Sequence, residues 1–518
     1  MKAHRFQARL PIIDPAAVEA YLSRPLDSFD ELKQVTHEEL AAEARELGFR
    51  FVTEPRTHQL VSCLIGVIEP AFLFFLDMGA GKSKVPLDLI RYRKKRGELH
   101  RALILAPELI HMYSWEEQLK QHAPDLSYVL LLGEREERLS LVNRKSDICL
   151  MNYKGLEVYM SRRVKLTKGG RQHLDPDAAG RFASQFNFLV LDESHRLGNH
   201  QALVYKLCSW LSSACTFRYA LTGSPFGRDP MKLWPQFQLI DQGATLGLLG
   251  LFRSAFFHAK VNYWGGIDYT FRTERKIDLH RIIKHRSLRL EIKLSEKPDY
   301  IRIPVRLSGE GKMFYERIIK RLAESKGDYR SLENSFVRMR QCASGFLSMK
   351  ADDESRIEVR IEPNPKLEAL RQFLLDLDEG EKFLIFHDFI TSGNNIRRLL
   401  DEMKIGYASL YGGVKDVEGQ YRRFLTEPKC RAFVLQSQTG SEAINPQGVC
   451  RYALFYESPI DSIRRTQAEK RVHRPGQQRK VFIYDFVMQG TVEEKILVYI
   501  DQGKDLLRAV LNGEERLI

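Results

Sequence analysis

The residues best suited to chemistry lie in three short segments that are far apart in the sequence. The first is Asp77-Met-Gly-Ala-Gly-Lys-Ser83 and the second is Asp192-Glu-Ser-His195. The third runs from Gln467 to Gln477, where Arg471 and Arg474 stand three positions apart. Lysines and arginines neutralise phosphate charge, while paired acids hold a metal ion or polarise water. Together the three segments predict a site that hydrolyses a nucleotide.

The first segment follows an apolar run, Ala71 to Leu76, which has the length of a buried parallel strand. Small residues then let backbone amides close around phosphate oxygens, and the helical pattern that follows offers its positive N-terminus. The lysine is expected to reach the outer phosphates of ATP, and the serine hydroxyl to ligate Mg²⁺. Leu76 stands where the full phosphate-loop pattern has its first glycine, so the segment alone also fits an ordinary turn. The expected cofactor-binding residues here are Gly79, Ala80, Gly81, Lys82 and Ser83.

The acidic segment follows another apolar run, Phe186 to Leu191. A strand there delivers Asp192 and Glu193 to the carboxyl edge of a sheet, where ligands collect in open α/β folds. Asp192 is expected to hold Mg²⁺, directly or through water, and Glu193 to act on the attacking water as general base. An acidic helix N-cap is the alternative interpretation of this segment alone. Its combination with Lys82 favours the phosphate site.

Composition indicates a folded protein with a polyanionic partner. Hydrophobic residues make up 43% and charged residues 28% of the 518 residues, and the formal net charge is +13. Such a balance is typical of globular proteins, and the excess of positive charge favours nucleic acid. Basic residues cluster at 91–96, 162–171 and 272–289. Each cluster alone also fits a solvated helix face.

Cysteine usage and hydropathy predict the compartment. The seven cysteines include no C-x-x-C pair, so neither a disulfide framework nor a zinc module is expected. The N-terminus does not resemble a secretory signal, and the longest apolar stretch is interrupted by Glu69 and Pro70. These features predict no membrane association. They favour a cytoplasmic protein in a bacterial or phage-infected cell, including one associated with the nucleoid, or a nuclear protein in a eukaryote.

The order of these motifs resembles the Swi/Snf-like branch of superfamily-two helicases, from about residue 51 to the C-terminus. The most telling features are Thr222-Gly-Ser-Pro225 followed by Leu233-Trp234, the Arg-x-His-Arg-x-Gly-Gln run at 471–477, and Gly490-Thr-Val-Glu-Glu-Lys-Ile496. The resemblance implies an α/β fold with two RecA-like lobes, each a parallel sheet flanked by helices, with helical protrusions inserted between them. The implied regions are 1–50 as an N-terminal accessory region, 51–240 as lobe one with the ATP site, 241–365 as the protrusions, 366–490 as lobe two, and 491–518 as a C-terminal helical brace.

The resemblance also implies roles for further residues. Gln59 would read adenine, His195 would join the nucleotide site, and Gln467, Arg471 and Arg474 would take part in catalysis, the arginines by neutralising charge on the transferred phosphoryl group. Taken singly, Arg471 also fits a salt-bridged helix residue and Gln59 a solvated one. The implied nucleic-acid contacts are Pro107, Asn152, Tyr153, Gly412, Gly413, Ser437 and Gln438.

One loop departs from the family pattern. In the stretch that begins at Ser437, Ser441 and Ala443 stand where the family has glycines, and Gln438 stands where a basic residue often contacts phosphate. A stiffer and less basic loop predicts altered coupling between DNA and ATP rather than altered ATP binding.

These observations predict an ATP-dependent translocase on double-stranded DNA that remodels DNA or protein–DNA complexes, with a DNA-bound protein as a further partner. Because both lobes lie in one chain, a monomeric motor is expected. Two alternatives stay open. One is a strand-separating or RNA-directed helicase, which shares the phosphate loop and the acidic pair. The other is a nucleic-acid-binding scaffold with a vestigial ATPase.

Overall fold

The structure is a computed structural model that divides the chain into two compact units, Met1–Ile292 and Lys293–Ile518. Each unit is built on one parallel sheet. The residues that the structure describes are 14–77, 79–164, 171–223, 225, 229–261, 266–290, 297–324, 329–350, 356–414, 416–437, 446–474, 477–502 and 506.

The first unit contains a seven-stranded parallel sheet and two antiparallel hairpins. Its strands are β1 (Ala71–Leu76), β2 (Ala102–Ala106), β3 (Tyr128–Leu130), β4 (Ile148–Asn152), β5 (Ser161–Val164), β6 (Arg171–Leu174), β7 (Phe188–Asp192), β8 (Phe217–Leu221), β9 (Phe257–Val261), β10 (Ile267–Phe271) and β11 (Ser287–Leu290). The sheet order is β11-β1-β8-β7-β2-β4-β3, and the hairpins are β5–β6 and β9–β10.

Helices surround this sheet. They are α1 (Pro15–Ser23), α2 (His37–Glu46), α3 (Thr57–Ile68), α4 (Lys84–Lys95), α5 (Leu109–His122), α6 (Arg135–Leu141), α7 (Leu156–Met160), α8 (Pro176–Ala183), α9 (Leu203–Ala214), α10 (Leu233–Asp241), α11 (Leu249–Phe256) and α12 (Lys276–Ile283). Tyr21 of α1 and Leu40 of α2 are buried in the cores of this unit. Helices α1 and α2 therefore pack against the rest of the first unit.

Strands β1 and β2 are apolar and buried along their whole length because both faces of the sheet are covered. In β1, Leu73 and Phe75 enter one core, and Phe72 and Phe74 enter the other. The register pairs Phe74 with Leu221 of β8, and Leu221 with Asp192 of β7. The carboxyl ends of β1, β8 and β7 are therefore neighbours, which brings their following loops together.

The second unit contains a six-stranded parallel sheet, with order β12-β19-β18-β15-β17-β16, and the hairpin β13–β14. Its strands are β12 (Asp299–Val305), β13 (Phe346–Lys350), β14 (Arg356–Arg360), β15 (Lys382–His387), β16 (Gly406–Leu410), β17 (Cys430–Gln436), β18 (Cys450–Phe455) and β19 (Phe482–Met488). Its helices are α13 (Gly309–Glu324), α14 (Tyr329–Ala343), α15 (Pro365–Asp376), α16 (Ile390–Glu402), α17 (Val417–Thr426), α18 (Ser462–Glu469) and α19 (Val492–Asp501). The predicted fold class, α/β with two parallel sheets flanked by helices, is confirmed.

The predicted segment of protrusions, 241–365, is divided between the two units. β11 pairs with β1 in the first sheet, and β12 pairs with β19 in the second. The boundary between the units falls after Ile292, inside this segment. The segment holds the helices α11 to α14 and the hairpins β9–β10 and β13–β14, together with one strand of each main sheet. A description as helices alone is therefore incomplete, because β11 and β12 pair with strands that are distant in the sequence.

All seven cysteines are free and buried. No helix within the described ranges is both long enough and apolar enough to cross a membrane.

The motif at residues 490–496 has a structural basis in the second unit. Gly490 has φ +68°, and the Thr491 side chain accepts a hydrogen bond from the Glu493 amide at the start of α19. Lys366 of α15 is fully buried, and its Nζ donates to Glu493 Oε1 at 2.5 Å, to Oε2 at 2.6 Å and to the Tyr456 carbonyl at 3.1 Å. This ion pair joins α15 to α19 within the second unit.

Lys366→Met is expected to lower the free energy of unfolding by about 3–5 kcal/mol, because it leaves Glu493 buried without its counter-ion. Chemical denaturation followed by circular dichroism measures the change. The double variant Lys366→Met/Glu493→Leu should recover most of the loss, since it removes both charges. Arg371→Gln is the matched control, because Arg371 lies on α15 like Lys366 but forms a more exposed ion pair, with Glu402 of α16. This variant should change stability by less than about 1 kcal/mol. Equal effects of the two single variants would contradict the assignment.

Candidate active site

The phosphate-loop segment forms a tight connection between β1 and α4. Gly79 and Gly81 have φ angles of +81° and +68°, in the left-handed region that favours glycine. A Cβ atom at Gly81 would lie 2.6 Å from Gln59 Nε2, so a larger residue would also collide there. The loop therefore depends on glycine both for its backbone conformation and for its close approach to α3.

Three side chains at the start of α3 hold the loop backbone. Gln59 Nε2 donates to the carbonyls of Gly81 at 3.0 Å and Ala80 at 3.3 Å. His58 Nε2 donates to the Ala80 carbonyl at 2.7 Å, and Arg56 Nη1 to the Gly79 carbonyl at 3.3 Å. Gln59 was predicted to read adenine, whereas its contacts here support the loop. Arg56 and His58 were not singled out from the sequence, although their place beside Gln59 was the available signal.

The lysine and the second acid of the predicted site meet directly. Lys82 Nζ forms an ion pair with Glu193 Oε1, and these side chains are 15% and 9% exposed. The two residues are 111 positions apart, and the order β1-β8-β7 brings their strands together. The structure therefore joins two segments that the sequence analysis assigned to one site. In this state Glu193 neutralises the charge that Lys82 would offer to phosphate.

The backbone of Glu193 is held in an uncommon conformation. Its φ of +47° lies in the left-handed region, which costs a non-glycine residue about 1–3 kcal/mol and is frequent at functional sites. The Glu193 amide donates to Asp192 Oδ1 at 3.0 Å. Asp192 Oδ2 accepts from Trp115 Nε1 at 2.8 Å, and the Asp192 carbonyl accepts from the Tyr153 hydroxyl at 2.7 Å. The buried side chains of Trp115 and Tyr153 thus hold Asp192 in position by donating hydrogen bonds to it.

The two carboxyl groups differ in their electrostatics. Burial, opposed by the Lys82 ammonium and assisted by the charge of Glu193, raises the pKa of Asp192 to about 6. Burial also acts to raise the pKa of Glu193, but Lys82 and His195 outweigh it and hold that pKa well below its usual range. Glu193 is therefore ionised at neutral pH while it pairs with Lys82.

A polar network extends from Glu193 to the loop after β8. Thr222 Oγ1 donates to Glu193 Oε2 at 3.3 Å, and His195 Nδ1 lies 2.9 Å from Thr222 Oγ1 and 3.3 Å from Glu193 Oε2. Ser194 Oγ donates to Gln236 Oε1 at 2.8 Å, which ties the acidic segment to α10. The threonine of the Thr222-Gly-Ser-Pro225 motif thus contacts the predicted general base. His195 contacts Glu193 and Thr222 rather than the phosphate loop, and its role in nucleotide binding stays a prediction.

The donor set fits magnesium. Mg²⁺ prefers hard oxygen ligands, often one carboxylate and one hydroxyl beside substrate phosphates. Asp192 offers a buried carboxylate, and the Ser83 hydroxyl makes no hydrogen bond to the residues that the structure describes. No group of three or more His, Cys, Asp or Glu side chains suited to a metal occurs among the described residues. The chemistry of their oxygen atoms makes Ser83 and Asp192 the residues that would hold this ion.

The predicted arginines of the second unit lie just beyond α18. This helix ends at Glu469, so Arg471 and Arg474 fall in the turn that follows. Gln477 Nε2 donates to the carbonyls of Cys450 at 2.9 Å and Val472 at 3.2 Å, which anchors that turn to β18. Gln467 is 1% exposed, and Arg471 is 6% exposed. Of the two arginines, Arg474 is the more exposed.

A buried ion pair fixes the helix that precedes these arginines. Arg465 is 3% exposed, and its guanidinium binds both carboxylate oxygens of Asp485 on β19, with the Nη2 to Oδ2 distance at 2.7 Å. Its Nε donates to Glu469 Oε1 at 2.6 Å. Bidentate pairs of this kind restrict orientation as well as distance. Arg465 was not singled out from the sequence, because its partner Asp485 lies 20 residues further along the chain, on β19.

The predicted nucleic-acid contacts differ in their accessibility. Gly412 and Gly413 are exposed in the turn after β16, and Asn152 is partly exposed, with its Oδ1 accepting from the Gly155 amide at 3.1 Å. Pro107, Tyr153 and Ser437 are buried. Ser437 bonds the His387 carbonyl through its amide at 2.8 Å. Gln438, together with Ser441 and Ala443, lies outside the described residues.

Burial changes what Tyr153 can do. It is 5% exposed, and its hydroxyl is engaged with the Asp192 carbonyl. The hydrogen bond from Tyr153 supports the backbone of Asp192. Because the ring is buried, it is not available in this structure to stack on a nucleic-acid base. Pro107 is likewise buried at the carboxyl end of β2. Within the first unit, Asn152 is thus the most accessible of the three predicted contacts.

The fold and the site define an α/β protein that presents a phosphate loop beside an acidic pair at the carboxyl edge of a parallel sheet. A family model described as the SNF2-related domain matches residues 66–353, more than half of the chain. The chain belongs to the SNF2-related domain family.

Similar proteins share this core. The chain is 26% identical over 455 residues to the Arabidopsis thaliana protein named "Probable ATP-dependent DNA helicase CHR23", covering 81% of this chain and 39% of the relative. It is 23% identical over 447 residues to chromodomain-helicase-DNA-binding protein 1 of Gallus gallus, covering 81% of this chain and 24% of the relative. The chain thus spans less than half the length of each relative.

A solved structure is also similar. It is the Sulfolobus solfataricus SWI2/SNF2 ATPase core in complex with dsDNA, with 22% identity and a TM-score of 0.40. The alignment covers 90% of this chain and 95% of that chain.

Proposed function

We propose that the protein hydrolyses ATP in a nucleic-acid-dependent reaction and uses it to translocate along double-stranded DNA, remodelling DNA or displacing DNA-bound protein. Membership of the SNF2-related domain family supports this class of activity, as do the relatives named as a probable ATP-dependent DNA helicase and as a chromodomain-helicase-DNA-binding protein. The net charge of +13 supports a polyanionic partner. Its place of action would be with the DNA, in the cytoplasm or in a nucleus, and one chain would suffice as motor.

The observation that carries this proposal is the meeting of Lys82, Asp192 and Glu193 at the carboxyl ends of β1 and β7. When ATP binds, Lys82 would exchange Glu193 for a phosphate oxygen. That exchange frees the Glu193 carboxylate to accept a hydrogen bond from the attacking water. Thr222 and His195, both in contact with Glu193, would hold the carboxylate in position. Ser83 and Asp192 would hold Mg²⁺, which would neutralise part of the phosphate charge.

Lys82→Ala is expected to weaken ATP binding by about 10- to 100-fold or abolish it, because a charge-assisted hydrogen bond contributes about 1.5–3 kcal/mol. Titration with a fluorescent ATP analogue measures the loss. Lys95→Ala removes an exposed lysine from α4, the helix that follows the loop, so it is the matched control and should leave affinity unchanged. Thermal unfolding of both variants separates lost binding from lost folding, since Lys82→Ala also leaves Glu193 without its ion partner. ATP affinity equal to wild type in Lys82→Ala would contradict the site.

The choice of nucleic acid is tested by affinity and by strand displacement. Backbone contacts predict binding to duplex DNA of nearly any sequence, with affinity that falls steeply as salt rises. A translocase should hydrolyse ATP on intact duplex without separating the strands. Displacement of a labelled strand, or a preference for single strands or RNA, would instead support the helicase alternative. Binding without any hydrolysis would support the scaffold.

A further inference from the structure

The basic clusters that suggested a polyanionic partner are not equivalent in the structure. Along α4, Arg91 pairs with Asp125 at 2.7 Å, Arg93 with Glu98 at 2.6 Å and Lys94 with Asp147 at 2.8 Å. Their charge is therefore largely neutralised by neighbouring acids. This cluster strengthens packing at the surface of lobe one more than it attracts phosphate.

The cluster at 272–289 is also engaged internally. Arg275 pairs with Glu19 at 3.0 Å and Lys284 with Asp30 at 2.6 Å. Arg286 forms an ion pair with Glu69. These contacts attach α12 and the start of β11 to the N-terminal region and to α3. The cations here serve the fold of the first unit.

The remaining cluster, at 162–171, differs because its first arginine, Arg162, faces a groove that two arginines from outside the cluster also line. Arg162 of β5, Arg135 of α6 and Arg181 of α8 are exposed and line a groove of about 760 Å³. Within the part of the chain that the structure describes, none of the three forms an ion pair. The one acid in the lining, Asp175, accepts a hydrogen bond from the Ala178 amide as the N-cap of α8. Three positive charges thus face one negative charge.

The walls of the groove are well packed. Tyr159 of α7 stacks on Phe182 of α8 with ring centroids 4.6 Å apart, and its hydroxyl donates to the Arg138 carbonyl at 2.8 Å. Behind them, the buried Arg101 donates to the Val142 carbonyl at 2.8 Å and to Gln185 Oε1 at 3.3 Å. The arginines are therefore presented on a fixed scaffold, and the amide side chains of Asn143, Gln172 and Gln185 add hydrogen-bonding groups to the lining.

The groove adjoins a predicted nucleic-acid contact. α6, which carries Arg135, also carries Arg138 one turn further on. A Cβ atom at Gly155 would lie 2.9 Å from Asn152 Oδ1 and 3.0 Å from Arg138 Nη1, so these two side chains meet at Gly155. Asn152 is the accessible predicted contact of the first unit. The basic lining therefore continues from it along α6, and shares no residue with the nucleotide site.

We propose that this groove, lined by Arg135, Arg162 and Arg181, is a second binding surface for the sugar-phosphate backbone of duplex DNA. It rests on the proposed function, because it lengthens the contact of lobe one with the same duplex. Exposed arginines without acid partners bind phosphate oxygens through paired N–H groups and release counterions. The contact would be independent of base sequence and would add affinity outside the nucleotide cycle.

The test compares two triple variants of the full chain. Arg135→Gln/Arg162→Gln/Arg181→Gln removes the groove charges, and Lys94→Gln/Lys95→Gln/Arg96→Gln, called the α4 variant, removes three charges at the C-terminal end of α4 in the same unit. Binding of a fluorescein-labelled blunt duplex is measured without nucleotide between about 50 and about 200 mM salt. The groove variant should bind about tenfold or more weakly, and its slope of log affinity against log salt should fall by about 2.7, or about 0.9 per phosphate contact. The α4 variant should resemble wild type.

Each outcome separates the inference from the function on which it rests. Equal losses in the two triple variants would show a diffuse effect of net charge and overturn the groove as a site. Wild-type affinity and slope in the groove variant would overturn it as well. Failure of the wild type to bind duplex DNA would overturn the proposed function together with the groove. Arg162→Gln alone should lower the slope of log affinity against log salt by about 0.9 without changing thermal unfolding. This single variant therefore tests the groove even if the triple variant fails to fold.

Discussion

Glu193→Gln is expected to lower duplex-stimulated ATP turnover by about 10²–10⁴-fold while ATP binding is retained, the magnitude that a positioned general base contributes. The amide has nearly the shape of the carboxylate and can still accept from Thr222 Oγ1, so the site should keep its geometry. The variant also removes the anion that pairs with Lys82 in the absence of nucleotide. Lys82 is then available to phosphate without an exchange of partners, so ATP affinity should equal or exceed that of wild type.

Two measurements on Glu193→Gln separate binding from chemistry. Equilibrium titration with a fluorescent ATP analogue gives affinity, and single-turnover hydrolysis gives the chemical step. Glu98→Gln is the matched control, because it neutralises a surface acid of the same unit that pairs with Arg93 and Arg96. That control should turn over at the wild-type rate. Normal turnover in Glu193→Gln would contradict the assignment of the base.

Arg474→Ala is expected to lower turnover by about 10³–10⁵-fold with ATP binding preserved, the range found for arginines that neutralise a transferring phosphoryl group. The turn that carries Arg474 is anchored by Gln477, and the preceding helix by the Arg465–Asp485 pair. Arg474 is less buried than Arg471, so its truncation perturbs folding less. It is therefore the cleaner probe of the proposed role.

The measurement for Arg474→Ala is steady-state hydrolysis with saturating duplex DNA, together with ATP affinity. Arg464→Ala is the matched control, since Arg464 is a half-exposed arginine of α18 that lies 3.9 Å from Asp461. Its turnover should match wild type. A loss of ATP affinity in proportion to the loss of rate would assign Arg474 to nucleotide binding rather than to charge neutralisation during transfer.

Buried parallel strands were the most predictable part of the fold. β1 begins and ends where the apolar run does, at Ala71 and Leu76, because Pro70 and Asp77 bound a strand that is covered on both faces. β7 begins two residues later than predicted, at Phe188. Phe186 instead packs against Phe182 at a centroid distance of 5.2 Å before the strand starts. An apolar run does not distinguish a strand residue from a buried residue that precedes it.

Contacts between distant segments were less accessible to sequence reasoning. The spacing of the motifs could not show that Lys82 and Glu193 form an ion pair, because it does not reveal the sheet order, in which β8 alone separates β1 from β7. Arg56 and His58 bind backbone carbonyls, which leave no pattern of side-chain types. The same limit applies to the basic clusters. Only the structure distinguishes arginines that have acid partners from the three that line the groove.

The central claim is that this site hydrolyses ATP when the protein engages duplex DNA. Steady-state ATP hydrolysis by the purified chain, with no nucleic acid, duplex DNA, single-stranded DNA or duplex RNA, tests it most directly, with Glu193→Gln measured in parallel. We expect duplex DNA to stimulate ATP hydrolysis strongly, and we expect this stimulation to be lost in Glu193→Gln. Stimulation by single strands or RNA alone, or hydrolysis that persists in Glu193→Gln, would contradict it.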